Sequence, residues 1–235
     1  MLSQNKILEE LQKILDKITV VNLSGESGTG KTSFALYLIG HLLRNGHYCI
    51  WVQASEPFPK KRLETMYGND QKKLCILKNQ ILVAPDRCFA TLDTQSEFMI
   101  KITHKNYLFP PDLQFLVIDN ISHHLRFSFS KVREISEKIL LYDRFYSSEL
   151  LPLILRCSRE NVILILIHEV SFNMNLQRNQ PFFNRLYERI KGLSIVFKQS
   201  SYSKRQVMDI SAENKKFSLG FKIEDNGFSF SQLFL

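Results

Sequence analysis

Residues 25–32 read GESGTGKT, glycines at fixed spacing followed by a lysine and a threonine. Glycine lets a backbone curl until consecutive N–H groups face one point, and a helix beginning near Lys31 adds the positive end of its dipole there. Such a point attracts phosphate. The string is the P-loop pattern G-x-x-x-x-G-K-T, and it lies between an apolar run that reads as a strand (ITVVNL, 18–23) and a helical run (31–45) closed by Gly46. Gly25, Glu26, Ser27, Gly28, Thr29, Gly30, Lys31, Thr32 and Ser33 are therefore the candidate ATP-binding residues. Lys31 is expected to reach the β- and γ-phosphates, and the Thr32 hydroxyl to ligate Mg²⁺.

A P-loop works with a second metal-side carboxylate. Asp119, at the end of the apolar run LQFLVID (113–119), has that form, although a lone Asp at a strand end can equally cap the next helix. Ligands of a parallel α/β sheet sit outside the carboxyl ends of its strands, and Gly25, Glu56, Asp119 and Glu169 each follow an apolar run of strand type. Glu56, in SEPFPKKRL, is thus a candidate general base that polarises an attacking water. The competing reading pairs Glu56 with Lys60 or Arg62 on the surface.

These side chains need elements to hold them. Ile7, Leu8, Leu11, Ile14, Leu15 and Ile18 recur at helical spacing and predict a helix over 4–17. Strands are predicted at 18–23, 48–54, 80–85, 113–120, 161–170, 193–199, 205–211 and 217–224, and a long helix at about 132–159. The first five strands are near-continuous apolar runs alternating with helical segments, the pattern of a parallel sheet covered on both faces. The last three are separated by short polar turns (SYSK, AENKK, DNG) and read as antiparallel hairpins on one edge. The fold class is α/β, a mainly parallel sheet with helices on both faces and a C-terminal antiparallel extension. One domain over 1–235 is expected: an N-terminal helix (1–17), a nucleotide-binding core (18–200) and hairpins (201–235).

Composition narrows the partners. Thirty-one Lys and Arg against 23 Asp and Glu give a net charge of +8, which favours an anionic partner. The longest apolar runs, LQFLVI and VILILI, are too short to cross a bilayer, and the N-terminus carries acids among its apolar residues, unlike a secretion signal. No membrane association and a reducing, cytoplasmic setting are expected, nucleoid-associated in an archaeon and nuclear in a eukaryote. Cys49, Cys75, Cys88 and Cys157 show no CxxC spacing, and Cys49 and Cys157 read as small hydrophobes. His123-His124 lacks neighbouring carboxylate or Cys partners in the sequence and reads as a structural or loop pair, not a metal site.

The P-loop, then WVQASEPFPKKRL, LVIDNISHHLR and ILILIHEVSFN, in this order and spacing, resemble the RecA/RadA recombinases, and among them the short archaeal paralogues called RadB. FKIEDNGF is similar to the closing hairpin of that group, and the chain leaves no room for the N-terminal helical domain of full recombinases. The resemblance implies a RecA-like P-loop ATPase core, Glu56 as catalytic glutamate beside Lys31, and Asp119 as the Walker B aspartate. It also implies a phosphate sensor at the end of the central strand, usually Asn-Gln and here His168-Glu169. A carboxylate near phosphate is repelled unless metal-bound or protonated, so coupling to DNA departs from the family pattern. Phe183 and Asn184 also stand where the family carries paired glycines, and LQKILDK is free of the usual glycines.

Two segments mix cations with aromatic rings, the combination that tracks phosphates and stacks on unpaired bases. RFSFSKVR (126–133) offers Arg126, Lys131 and Arg133, with Phe127 and Phe129; residues 172–192 offer Arg178, Arg185, Arg189 and Lys191, with Phe182, Phe183 and Tyr187. Phe183, Leu186, Tyr187 and Ile190 also fit one buried helix face. The leading expectation is a weak, DNA-stimulated ATPase that binds single-stranded DNA and assists a RadA-like main recombinase or other paralogues. The alternatives are a non-catalytic ATP-holding scaffold that docks on the recombinase through Ile7, Leu11 and Ile14 or a sheet edge, and a RecA-fold ATPase outside recombination.

Overall fold

The computed structural model of the chain describes residues 4–173, 178–182, 190, 192–199, 206–212 and 215–234. Its centre is a set of strands rich in Val, Ile and Leu: β1 (Val20–Gly25), β2 (Tyr48–Gln53), β3 (Ile81–Ala84), β4 (Leu113–Asp119) and β5 (Ile163–His168), of which β1, β2, β4 and β5 are covered on both faces while the edge strand β3 leaves Leu82 and Val83 exposed. Every residue of β1 and β4 is buried. These five run parallel in the order β1-β5-β4-β2-β3.

Alternate side chains of each strand enter different cores. Val21, Leu23, Phe115, Val117, Ile165 and Ile167 face one layer, made by α1 (Gln4–Leu15), α2 (Lys31–Leu42), α3 (Lys60–Tyr67) and α4 (Gln71–Gln80). Val20, Leu116, Ile118, Leu164 and Leu166 face the other, made by α5 (Leu92–Thr103), α6 (His123–Lys131), α7 (Ile135–Phe145) and α8 (Leu151–Arg159). Cys49 and Cys157 are buried, one in each core. Ile7, Leu11, Ile14 and Leu15 of α1 also pack into the first core, which removes the predicted docking face: that apolar stripe covers the chain's own sheet.

The remaining strands are β6 (Val170–Asn173), β7 (Arg178–Pro181), β8 (Gly192–Gln199), β9 (Gln206–Ala212), β10 (Lys215–Glu224) and β11 (Gly227–Phe234). The strand predicted over 161–170 divides at Glu169, because β6 leaves the sheet and, among the described residues, pairs with β7 in a two-stranded ribbon. The strand predicted at 193–199 lies parallel to β1, so the antiparallel part begins one strand later, at β9. Along β8 and β9 burial alternates, with Leu193, Ile195, Phe197, Met208 and Ile210 turned into the first core. The helix predicted from 31 to 45 ends at Leu42, and Gly46 instead supplies a left-handed turn (φ 82°) before β2.

The long helix predicted over 132–159 starts at Ile135 and contains a π-helical turn at Tyr146–Leu150 that joins α7 to α8. The turn rotates Glu149 into the second core, where it is 3% exposed, accepts from Ser96 Oγ at 2.7 Å through Oε1, and has no hydrogen bond at Oε2 among the described residues. Burial raises its carboxyl to about 7, against the Ser96 hydrogen bond and the charge of Arg144, with Asp93 adding to the rise. The folded value lies above the unfolded one, so the associated stability is present below the ordinary carboxylate range and is lost as pH rises through about 7. Glu149→Gln should therefore stabilise the protein by on the order of 2 kcal/mol at pH 8 and by much less at pH 5, as measured by denaturant melts. An equal difference at both pH values would show that this carboxyl does not titrate between them.

Candidate nucleotide-binding site

Parallel pairing of β1, β5, β4 and β2 brings their carboxyl ends to one edge, and a cleft of about 730 Å³ opens there. Gly25, Glu26, Ser27, Gly28, Gly30, Lys31, Thr32, Ser33, Glu56, Asp119, Arg126 and Glu169 line it. Thr29 lies beneath the loop, where its hydroxyl donates to Glu26 O at 2.7 Å and braces the curl. A second hollow of about 500 Å³ lies among Asp16, Arg44, Asp112 and Glu160 at the amino ends of the strands, with no amide cradle or strand carboxyl end.

Two glycines are required by geometry. Gly30 is left-handed (φ 97°) immediately before α2, and a Cβ there would lie 2.4 Å from Ile223 Cδ1. At Gly25 a Cβ would meet the Phe197 carbonyl at 2.8 Å, so the loop and β8 pack backbone to side. α2 begins at Lys31 with no side-chain cap, leaving its first N–H groups at the cleft. The Lys31 ammonium is held inside the curl, donating to Gly25 O at 2.9 Å and Glu26 O at 2.7 Å. Burial lowers its pKa, while the charges of Asp119, Glu169 and Glu26 oppose that.

Asp119 is 2% exposed and accepts from Thr32 Oγ1 at 2.9 Å. Burial pushes its carboxyl up to about 6 against the Thr32 hydrogen bond and the charge of Lys31, and Glu56 adds to the rise. A buried, adjacent hydroxyl and carboxylate fit the demand of Mg²⁺ for one or two protein oxygens beside phosphate. The loop that bears Glu56 is fastened from below. Ala54 N and Ser55 N donate to Asp119 O at 2.6 and 3.3 Å, Phe58 N donates to Gln53 Oε1 at 3.0 Å, and Gln53 Nε2 donates to Pro85 O at 2.6 Å. Glu56 faces the cleft and makes no ion pair with Lys60 or Arg62; Arg62 instead donates to Ser33 Oγ (3.3 Å) and Glu224 O (2.7 Å).

His168 and Glu169 part company. His168 is 1% exposed, lies 3.4 Å from Asn22 Oδ1 through Nε2, and does not line the cleft; burial drops its pKa to about 3, so the ring is neutral. As the last residue of β5, it follows the strand alternation inward. Glu169 lines the cleft, yet both oxygens are engaged. Oε2 accepts from Arg126 Nη1 at 2.6 Å, and Oε1 lies 3.2 Å from both Asn120 Nδ2 and His123 Nδ1. Burial alone would raise this carboxyl, but hydrogen bonds from His123 and Arg126 hold it below its ordinary value. It stays ionised by pairing, a route the expectation of a metal-bound or protonated group did not include.

Arg126, expected among the DNA contacts, is thus turned to the cleft. Lys131 lies over the Phe127 ring (4.0 Å to its centre), Phe127 is 58% exposed, and Arg133 is exposed beyond the end of α6. Phe129 packs edge-on against Phe182. Arg178 falls on β7, while Arg185, Arg189 and Lys191 lie outside the described residues, as do Phe183, Leu186 and Tyr187. Sequence reasoning missed Asn120 and Ile223 as cleft residues. Asn120 follows Asp119 directly and was within reach of the strand-end argument; Ile223, far along the chain, carried no signal.

Comparison with known proteins agrees with this architecture. The solved RadB recombinase superposes with a TM-score of 0.68 over 93% of this chain and 94% of that one, at 18% identity. The fold is RecA-like. The DNA repair protein rhp55 of Schizosaccharomyces pombe is 26% identical over 117 residues, 47% of this chain and 33% of that protein, so the match spans about a third of the relative's length. A family model described as Novel STAND NTPase 3 matches residues 2–82, the part that contains the P-loop. Gly30→Ala should cost about 1–3 kcal/mol of stability, from its positive φ and the Ile223 contact, as thermal melts would measure; an unchanged melting point would show that the loop accommodates the methyl group.

Proposed function

We propose that this protein is a Mg²⁺-dependent ATP-binding, weakly ATP-hydrolysing RecA-fold protein that binds single-stranded DNA and assists a main recombinase in recombination and repair. The observation that carries the reading is the convergence of Lys31, Thr32, Asp119 and Glu56 on one strand edge, with the Thr32–Asp119 hydrogen bond at its centre. The likeness to RadB and to rhp55 supports the recombination setting.

In this reading the N–H groups of the loop and of the first turn of α2 cradle the phosphates, and Lys31 exchanges its hydrogen bonds to Gly25 O and Glu26 O for phosphate oxygens. Thr32 and Asp119 hold Mg²⁺, which supplies charge neutralisation to the phosphate oxygens. Glu56, exposed on its fastened loop, orients a water and accepts its proton. Lys131 and Arg133 of the α6 end, with Arg178, Arg185, Arg189 and Lys191, track the DNA backbone, and Phe127 offers a ring for base stacking. The whole of 1–235 acts as one ATPase unit, in the cell's DNA compartment.

A second reading, ATP kept as a structural ligand, is favoured by Glu169, a fourth acid lining the cleft beside Glu26, Glu56 and Asp119. The match of residues 2–82 to a STAND NTPase model supports a third, a RecA-fold ATPase outside recombination. Turnover separates these. Wild type should hydrolyse ATP slowly and faster with single-stranded DNA; Lys31→Ala should lose binding and turnover, and Glu56→Gln should lose about tenfold or more in rate while still binding Mg-ATP. Equal rates for wild type and Glu56→Gln would remove Glu56 from the reaction. DNA affinity should fall about tenfold or more between 50 and 200 mM salt; a flat response would exclude the basic segments as the contact.

A further inference from the structure

We propose that Arg126 is the residue of this chain that contacts the terminal phosphate, and that Glu169 serves as a positioning residue which holds that guanidinium at the cleft. The inference rests on the nucleotide reading above and assigns the part that reads the third phosphate. Glu169 directly follows β5 and lines the cleft, but an ionised carboxylate has no donor for a phosphate oxygen. Its lone pairs are already directed to protein donors. Asn120 cannot turn its oxygen toward Glu169, because that oxygen accepts from Ser122 N (3.0 Å) and Ser122 Oγ (2.8 Å), which leaves Nδ2 to bond Glu169 Oε1. His123 meets the same oxygen and Arg126 takes the other.

The cation is the group left with donors to give. The Arg126 guanidinium commits Nη1 to Glu169, has no other hydrogen-bond partner among the described residues, and lines the same cleft as Lys31, Thr32 and Asp119. A guanidinium has five N–H groups in a rigid fork and can bridge a carboxylate and a phosphate at once. Held so, it also screens the terminal phosphate from the Glu169 charge. Arg126 sits in α6 one residue before Phe127 and five before Lys131, so a pull on its head group acts on the helix that carries the DNA candidates.

Fluorescent ATP and ADP analogues titrated with Mg²⁺ test this. Wild type should prefer ATP. Arg126→Ala should lower ATP affinity about tenfold and ADP affinity less than about twofold, with Arg126→Lys between the two. Glu169→Ala discriminates best: plain repulsion says that deleting the carboxylate tightens ATP, whereas a positioning role says that ATP weakens while ADP holds. The double variant should be no worse than Arg126→Ala alone. The proposal is overturned if wild type binds the two analogues equally, if Arg126→Ala loses both to the same degree, or if Glu169→Ala gains ATP affinity. Wild type binding neither analogue would remove the nucleotide reading and this inference together, whereas intact binding with an unmoved ratio would remove only the inference.

Discussion

An ammonium and a carboxylate, both nearly stripped of water, meet at one strand edge, and the arrangement of the site follows from the need to keep them partnered. Burying either alone would cost several kcal/mol. Lys31 meets that need with two loop carbonyls, and Asp119 with the Thr32 hydroxyl and the Lys31 charge. The loop curls to bring its carbonyls under the ammonium, which is the same curl that turns its amides to the cleft. The β2 exit is tied to the Asp119 carbonyl, so the carboxylate's own strand also positions Glu56.

A second charge balance governs the mouth of the cleft. Glu169, just past the end of β5, would by itself be an uncompensated anion at the cleft. Asn120, His123 and Arg126, all from the segment after β4, supply its donors. The result links the exit of β5 to α6 across the cleft and turns Arg126, still about half exposed, toward it. Partial exposure keeps this pair weaker and more exchangeable than a fully buried one.

The antiparallel extension has a structural consequence that its position on the sheet edge did not announce. It wraps back over α2, so that Ile223 touches Gly30 and the Glu224 carbonyl receives Arg62, tying the hairpin to α3 and the P-loop. The loop glycine is small because a strand from the far end of the chain lies against it.

The P-loop, the helices that begin the chain and follow the loop, and the places and parallel character of the first five strands were legible in the sequence, because each rests on local physics: glycine's φ range, the helical period, and apolar runs too continuous for a one-sided sheet. Asp119 and Glu56 were legible one step further, through the rule that places ligands at strand carboxyl ends. What needed the tertiary structure was every feature set by a contact between distant segments. The inward turn of His168, the capture of Arg126 by Glu169, the use of α1's apolar stripe on its own sheet, and the parallel seat of β8 beside β1 are of this kind. A residue's type and spacing state what bonds it can make, and only the folded chain decides which partner arrives first.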